Sequence, residues 1–399
     1  MSKYIYISSF LPRTQKKQLE LEMRNFNFNS ADAFSYSIFC GLSSILGAGM
    51  ECINIAPLGA CPRFNSKYKY SGGFEVDNGI KVNSVGYSTF YAYQYFSIYK
   101  NLFKNLRKLN HQEPKTFIIY SINIPVLMAT IRYRNKVSPE SKIILIVPDL
   151  LEYSLEESFA SRIKTAIIGD MRKFYEEVDG FVFLTEAMNE RVQTRHPYCI
   201  VEGIYNQEEH RTVDKSNDGL KRIFYSGMLY EKFGVKTLVD AFMMTSDKDY
   251  RLQLCGVGEL EEYIKKAARK DSRIEYLGLL SRERALQMQS EATLLVNPRT
   301  PEGEFTKYSF PSKNIEYLAS GTPVLLYELP GIPTEYYEYC YCLTAEETDV
   351  SCLYNKIEEV IHLPEEELNL KAAEAAQFIR TTKNAMKQTE KIVELAGSL

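Results

Sequence analysis

The sequence predicts an α/β protein built from two doubly wound, Rossmann-like domains. Three observations predict it. Short apolar runs alternate with helical patterns along the chain, the signature of a mostly parallel sheet with helices on both faces. The alternation pauses once, in the polar stretch NQEEHRTVDKSNDG at 206–219. Finally, 399 residues exceed the size at which one hydrophobic core usually stops growing. The expected division is 1–210, then 220–378, then a C-terminal helix at 379–399 that braces the first domain.

In the first part, Tyr4–Ile7, Cys52–Ala56, Thr116–Ile122, Lys142–Val147 and Gly180–Leu184 read as strands, with helical patterns at Asp32–Leu46, Tyr93–Leu109 and Glu186–Val192. After the pause the alternation restarts. Strands are expected at Arg222–Ser226, Leu252–Cys255, Ile274–Leu277, Leu294–Asn297 and Pro323–Tyr327. Helices are expected at Val235–Met244, from Leu260, from Arg282 and after Pro311. The end, Pro364–Leu399, is rich in Ala, Glu and Lys and long enough for two helices. Doubly wound sheets bind ligands at the carboxyl ends of their strands, where loops and helix N-termini gather. Two such domains in tandem are expected to bring both sets of loops beside one cleft.

Composition narrows the function. Hydrophobic residues at 45% and charged residues at 25% describe an ordinary globular protein. A formal net charge of -3 argues against nucleic acid as a partner. The eight cysteines are scattered and read as reduced, cytosolic thiols; the Cys340/Cys342 pair has no second pair at zinc-finger spacing, so no metal is expected. Met1-Ser2-Lys3 runs directly into a strand without the apolar core of a signal peptide, and no stretch is long and apolar enough to span a bilayer. The expected location is the cytoplasm.

The chemistry is expected after the strands of the second part. Gly227 to Gly234 leads from strand to helix, and a glycine there lets backbone approach a phosphate while Lys232 supplies charge. Gly256-Val257-Gly258 is a second such turn without the third glycine of a dinucleotide fingerprint, and a plain strand-to-helix turn explains it. The informative block is NPRTPEGEFTKYSFPSKNIEYLASGTPVLLYELPGIP, 297–333. Pro311 suits the first turn of a helix, whose unpaired amides at Ser309–Lys313 would favour a diphosphate. Glu316, about a turn and a half on, could accept both hydroxyls of a ribose.

Pro311-Ser312-Lys313 followed by Glu316-Tyr317-Leu318-Ala319-Ser320-Gly321-Thr322-Pro323-Val324 resembles the donor-binding signature of retaining glycosyltransferases of family 4, which have the GT-B fold and in bacteria build surface polysaccharides. The turns at Gly227 and Gly256 and the helix at Arg282 fall in the family's order, so the resemblance covers about 222–333. It implies a nucleotide-diphosphate sugar as donor, UDP-sugar favoured, with the diphosphate held by Gly227, Lys232 and the backbone of Ser309, Phe310, Pro311 and Ser312. It further implies that Glu316 binds the ribose, that no metal or other cofactor takes part, and that helix dipole and basic side chains stabilise the departing diphosphate.

The departures are equally specific. Eight residues before Glu316, where the family often has a glutamate on the donor sugar, stands Tyr308; its hydroxyl, or Glu304 or Glu302 from the same loop, could serve instead. The usual arginine after the first glycine is Met228, the usual lysine before Gly234 is Phe233, and Lys313 or Arg299 could share the charge. In the first domain a frequent His-Asp pair is replaced by Pro148-Asp149-Leu150-Leu151-Glu152, leaving Asp149 as the catalytic candidate or a helix N-cap. In the front-face transfer commonly assigned to this fold, the leaving phosphate oxygen takes the acceptor's proton.

The helix Tyr95–Leu109 is apolar on one face and carries Lys100, Lys104, Arg107 and Lys108 on another, which suits either a core helix with a solvated side or peripheral contact with the inner face of an anionic membrane. The expected activity is that of a retaining hexosyltransferase acting on a glycan, lipid-linked or protein-linked acceptor. A non-catalytic partner subunit on the same fold and a nucleotide-sugar epimerase are the alternatives.

Overall fold

The computed structural model describes residues 3–23, 30–110, 112–150, 171, 173–205 and 218–399, so most of the polar stretch 206–219, and Leu151 and Glu152, lie outside the described residues. The chain forms two compact units, 1–204 with 385–399, and 205–384.

The first unit has an eight-stranded sheet. Its strands are β1 (Lys3–Ser8), β2 (Met50–Asn54), β3 (Lys69–Asp77), β4 (Ile80–Ser88), β5 (Lys115–Tyr120), β6 (Lys142–Val147), β7 (Gly180–Phe183) and β8 (Tyr198–Ile200), in the order β3-β4-β2-β1-β5-β6-β7-β8. Neighbours are parallel except β3, which pairs antiparallel with β4. Buried runs such as Ile143–Val147 explain the central strands, since parallel strands are covered on both faces. The β3–β4 hairpin is absent from the strands expected above. Its signal was Asn78-Gly79, whose positive φ values of 47° and 73° suit the two-residue turn that matches strand twist. Covering helices include α1 (Lys16–Glu22), α2 (Ser30–Leu46), α3 (Tyr91–Leu106), α4 (Ile124–Val137) and α5 (Met188–Val192). Thus the basic helix starts before Tyr95 and ends before Leu109.

The second unit is a six-stranded parallel sheet of β9 (Lys221–Ser226), β10 (Tyr250–Cys255), β11 (Ile274–Tyr276), β12 (Leu294–Asn297), β13 (Val324–Tyr327) and β14 (Tyr341–Leu343). The order β11-β10-β9-β12-β13-β14 is the Rossmann order, and it reverses between β9 and β12. Helices α6 (Val235–Phe242), α7 (Glu261–Lys270), α8 (Arg282–Glu291), α9 (Lys313–Ala319), α10 (Val350–Ile361) and α11 (Glu365–Thr382) complete it.

The last helix, α12 (Ala385–Ser398), belongs to the first unit and packs on α2. Residues 379–384 remain in the second unit, so the returning helix begins at 385 rather than 379. Its seat is tight: a β-carbon on Gly41 of α2 would run into the Ala385 carbonyl and the Thr389 hydroxyl. Gly41→Val is expected to cost about 1–3 kcal/mol of stability through overpacking, read by urea denaturation. An unchanged midpoint would mean that this contact does not hold α12.

Candidate functional site

The strand order of the second unit opens a crevice where β9 and β12 diverge, and the loops that follow those strands supply the site. After β9 comes Gly227, with φ 153°; a β-carbon there would collide with the Lys313 ammonium and the Tyr225 hydroxyl. Gly234, with φ 73°, closes the turn so near the Pro298 carbonyl that no side chain fits. The glycines are therefore set by close approach of the β12 loop and α9.

Two cations lie in this loop cluster. Lys313 is half-buried as a residue, with its ammonium drawn in against Gly227, donating to the Tyr225 hydroxyl at 2.9 Å and lying 4.1 Å from the centre of that ring. Tyr225 passes the bond on to the Met228 carbonyl at 2.9 Å. Arg299 is buried; its guanidinium donates to Ser309 Oγ at 2.6 Å and sits over Phe305 and Phe233 at 4.6 and 5.6 Å. Its Nε is buried without a hydrogen-bond partner among the described residues. Among the described residues, neither cation has a carboxylate within ion-pair distance. Burial, and then the charge of Arg299, lower the Lys313 pKa to about 7. Burial lowers that of Arg299 to about 10. Two cations held out of water without counter-charge form a site that favours an anion.

Glu316, on α9, is ion-paired with Arg282 at the start of α8, at 2.6 Å. The helix is fastened to β9 through Tyr317, whose hydroxyl accepts from Ser226 N at 2.8 Å, and to β12 through Asn314, bonded to Asn297 at 2.7 Å. Lys313 and Glu316 are one turn apart, on the same helix face. The expectation for Pro311 needs correction: α9 begins at Lys313 with Ser312 as cap, so Pro311 precedes the helix and Glu316 lies in its first turn. The amides of Asn314 and Ile315 are already bonded to the carbonyls of Pro311 and Ser312. Just before this turn Phe310 is anchored in the core against Tyr336, ring centres 5.3 Å apart.

The remaining candidates are spread out. Lys232 is exposed, its ammonium 5.7 and 5.4 Å from the rings of Tyr230 and Phe233, so it and Arg299 flank the same Phe233. Glu302 and Glu304 are exposed, and Tyr308 is buried. Ser309 spends its hydroxyl between Arg299 and the Phe305 carbonyl. Ser312 is exposed. Sequence reasoning did not find Arg282 as the partner of Glu316, nor Tyr225 and Tyr317 as supports.

In the first unit, Asp149 follows β6. It is exposed, yet enough protein crowds it that burial pushes its pKa up to about 6. Tyr120 ends β5, with a buried hydroxyl that has no hydrogen-bond partner among the described residues and feels the charge of Asp149. The neighbouring loop after β1 is pinned by the Leu11 amide donating to Asp32 at 2.6 Å and the Phe10 amide to Asn54 at 3.1 Å.

Two Rossmann-like units in tandem define the GT-B architecture, and solved structures share it. The chain resembles the lipopolysaccharide outer core galactosyltransferase WaaB in its apo form (TM-score 0.63, 14% identity, 99% of each chain covered). It also resembles sucrose-phosphate synthase from Thermosynechococcus elongatus (TM-score 0.65, 12% identity, 100% and 99% covered). A third is Anabaena HepE in complex with UDP-glucose (TM-score 0.60, 12% identity, 100% of each chain covered). At these identities the likeness establishes the fold. More particularly, residues 206–377 match the family model "Glycosyl transferases group 1", so the second unit carries a domain of that kind. No curated protein matches the chain in sequence.

The Lys313 shift has a consequence for stability. Its folded pKa lies below the ordinary 10.5, so the stability tied to it is fully present above about 10.5 and is lost as pH falls through about 7. Ligand-free protein is expected to gain about 1 kcal/mol per pH unit between about 7 and 10 relative to Lys313→Met. Parallel curves for both proteins in denaturation across that range would refute the assignment.

Proposed function

We propose that the chain is a metal-independent, retaining hexosyltransferase of the family 4 type. It takes a sugar from a nucleotide-diphosphate sugar, UDP-sugar favoured, and passes it to a glycan, lipid-linked or protein-linked acceptor. The single observation that carries this reading is the pair Arg299 and Lys313, two cations without counter-charge beside Gly227 at the strand-order reversal of a glycosyl transferases group 1 domain. Binding energy at such a point favours the bond-breaking state, because negative charge on the diphosphate grows as the sugar departs.

In this reading the diphosphate lies between Gly227 and the Ser309–Lys313 turn. Arg299 and Lys313 neutralise it, supplying charge that a metal ion gives in other enzymes, and Lys232 adds to the field from the adjoining turn. Glu316, held by Arg282 at 2.6 Å, accepts the ribose hydroxyls. Tyr308 or Glu304 contacts the sugar. The leaving phosphate oxygen takes the acceptor's proton, and Asp149 in the first unit orients the acceptor or the reacting carbon. Anabaena HepE, similar in fold and solved in complex with UDP and with UDP-glucose, supports the choice of base.

Calorimetric titration with UDP tests the assignment. Glu316→Ala is expected to weaken binding by about 10- to 100-fold, as loss of charge-assisted hydrogen bonds does, and Arg299→Met by a similar factor, while both variants keep their far-UV spectrum. Release of UDP from UDP-sugars is expected to survive a metal chelator. No UDP binding by the wild-type chain would remove the donor assignment and favour the partner-subunit role; unchanged affinity in Glu316→Ala would remove the ribose role alone.

A further inference from the structure

No cysteine has a role in the proposed donor site, yet two of them are brought together beside it in the same unit. All eight are free thiols, scattered through both units. At Cys340 and Cys342 two sulfurs lie 3.6 Å apart. The backbone explains the approach. Cys340 immediately precedes β14 with an extended φ of -140° and ψ of 170°, so it continues the line of the strand, and side chains two residues apart in a strand share a face. Cys340 is buried and Cys342 half-buried, so a dissolved reagent meets Cys342 first. β14 stands at the end of the strand order, next to β13, and an edge strand bends more easily than one held on both sides.

Cys340 also touches the core that supports the donor-site loops. Its thiol donates to the Tyr336 carbonyl at 3.3 Å. The hydrogen bond with Cys342, then burial, push its pKa up, so the proton it donates is retained. Tyr336 has no exposed surface and packs on Phe310 and on Phe378, with ring centres 5.3 Å away in each case. Phe310 leads directly into the turn that carries Lys313. A second contact joins the same segments: Gly331 approaches the Thr306 and Ser309 carbonyls so closely that a β-carbon there would collide with both, and the Tyr337 hydroxyl donates to the Leu329 carbonyl at 2.9 Å. The ring of Tyr336 thus links Cys340 to the turn at 310–313.

Two residues of strand advance about 6.6 Å, near the upper end of the Cα separation that a disulfide spans. A bond closed at that limit stores strain and reopens readily when thiol is in excess, as redox-sensing disulfides do and structural ones do not. We propose that Cys340 and Cys342 are a reversible thiol–disulfide modification site whose oxidation loosens the turn at 310–313. The oxidant is a small-molecule disulfide. The Cys342 thiolate attacks one of its sulfurs, expelling one thiolate and leaving a mixed disulfide on Cys342. Cys340 then attacks the Cys342 sulfur, expels the second thiolate and gives up its proton to it. The two protein thiols lose two electrons and two protons, and the reagent leaves as two thiols. The oxidised sulfur of Cys340 has no hydrogen to donate, so its bond to the Tyr336 carbonyl is lost as the sulfur moves toward Cys342.

Equilibration of the full chain with mixtures of reduced and oxidised glutathione, followed by alkylation and peptide mapping, tests the site. A peptide holding both Cys340 and Cys342, lighter by two hydrogens and closed to alkylation, is expected to appear as oxidised glutathione rises and to vanish when reduced glutathione is restored. Hydrogen exchange of the same samples reads the turn. The Asn314 and Ile315 amides, bonded to the Pro311 and Ser312 carbonyls at 2.9 and 3.2 Å, should exchange about two- to tenfold faster in the oxidised chain, the effect of losing one modest hydrogen bond. Cys342→Ser should keep the reduced-state rate at every glutathione ratio, with its thermal midpoint as the fold control. Cys340→Ser, which keeps a donor for the Tyr336 carbonyl, is the second variant and should behave in the same way. No closed peptide, a glutathione adduct that stays on Cys342, or a disulfide to another cysteine would overturn the proposal. So would exchange rates equal in the two states, or rates that rise in Cys342→Ser as well. The turn's own amides are the readout, so none of these outcomes depends on UDP binding.

Discussion

Burying a basic side chain is costly enough to lower its pKa, and the second unit does it twice within one loop cluster, to about 7 at Lys313 and about 10 at Arg299. Arg299 and Lys313 are brought together because β12 and α9 converge on β9, at the point where the strand order reverses. Much of the local architecture serves that convergence. Gly227 has no side chain because the Lys313 ammonium occupies the place of a β-carbon. Tyr225 solvates that ammonium while its own hydroxyl donates to Met228. Tyr317 and Asn314 tie the short helix to both neighbouring strands. A fold that buries Arg299 and Lys313 with no carboxylate in ion-pair distance among the described residues favours an anion that would restore charge to Lys313, and that preference is the basis of the proposed donor site.

How much of this could be read beforehand follows from the range of each interaction. The α/β class, the alternation of elements and the 297–333 block depend on local pattern, and residues near in sequence determine them. The candidate positions Glu316, Lys313 and Gly227 came from spacing and from family resemblance. The Arg282–Glu316 pair joins residues 34 positions apart on two helices, and no local pattern encodes it. Arg299 was legible as a candidate to share the diphosphate charge, but not its burial, which depends on Phe233 and Phe305 lying against the guanidinium from different loops. The helix starts at Lys313 and not at Pro311, because the first amides, of Asn314 and Ile315, bond three residues back to Pro311 and Ser312 in a tighter turn. By contrast, the β3–β4 hairpin rests on a local signal, the Asn78-Gly79 turn between its strands.

The two units divide the physics differently. In the second, basic side chains are enclosed; in the first, basic and aromatic groups are presented outward along α3, and the loops at the carboxyl ends of the strands carry Asp149 beside the buried Tyr120 hydroxyl. The same parallel-sheet scaffold supports both because loops and outer helix faces tolerate change that the buried strands do not.

The central claim is that Lys313 meets the donor diphosphate, and proton uptake on UDP binding tests it most directly. With its pKa near 7 in the free protein, Lys313 is mostly neutral at pH 8, and an adjacent diphosphate would restore its charge. Calorimetry at that pH in buffers of different ionisation enthalpy should show uptake of about one proton per UDP bound, absent in Lys313→Met together with most of the affinity. UDP binding without proton uptake, or binding of equal strength by Lys313→Met, would contradict the account.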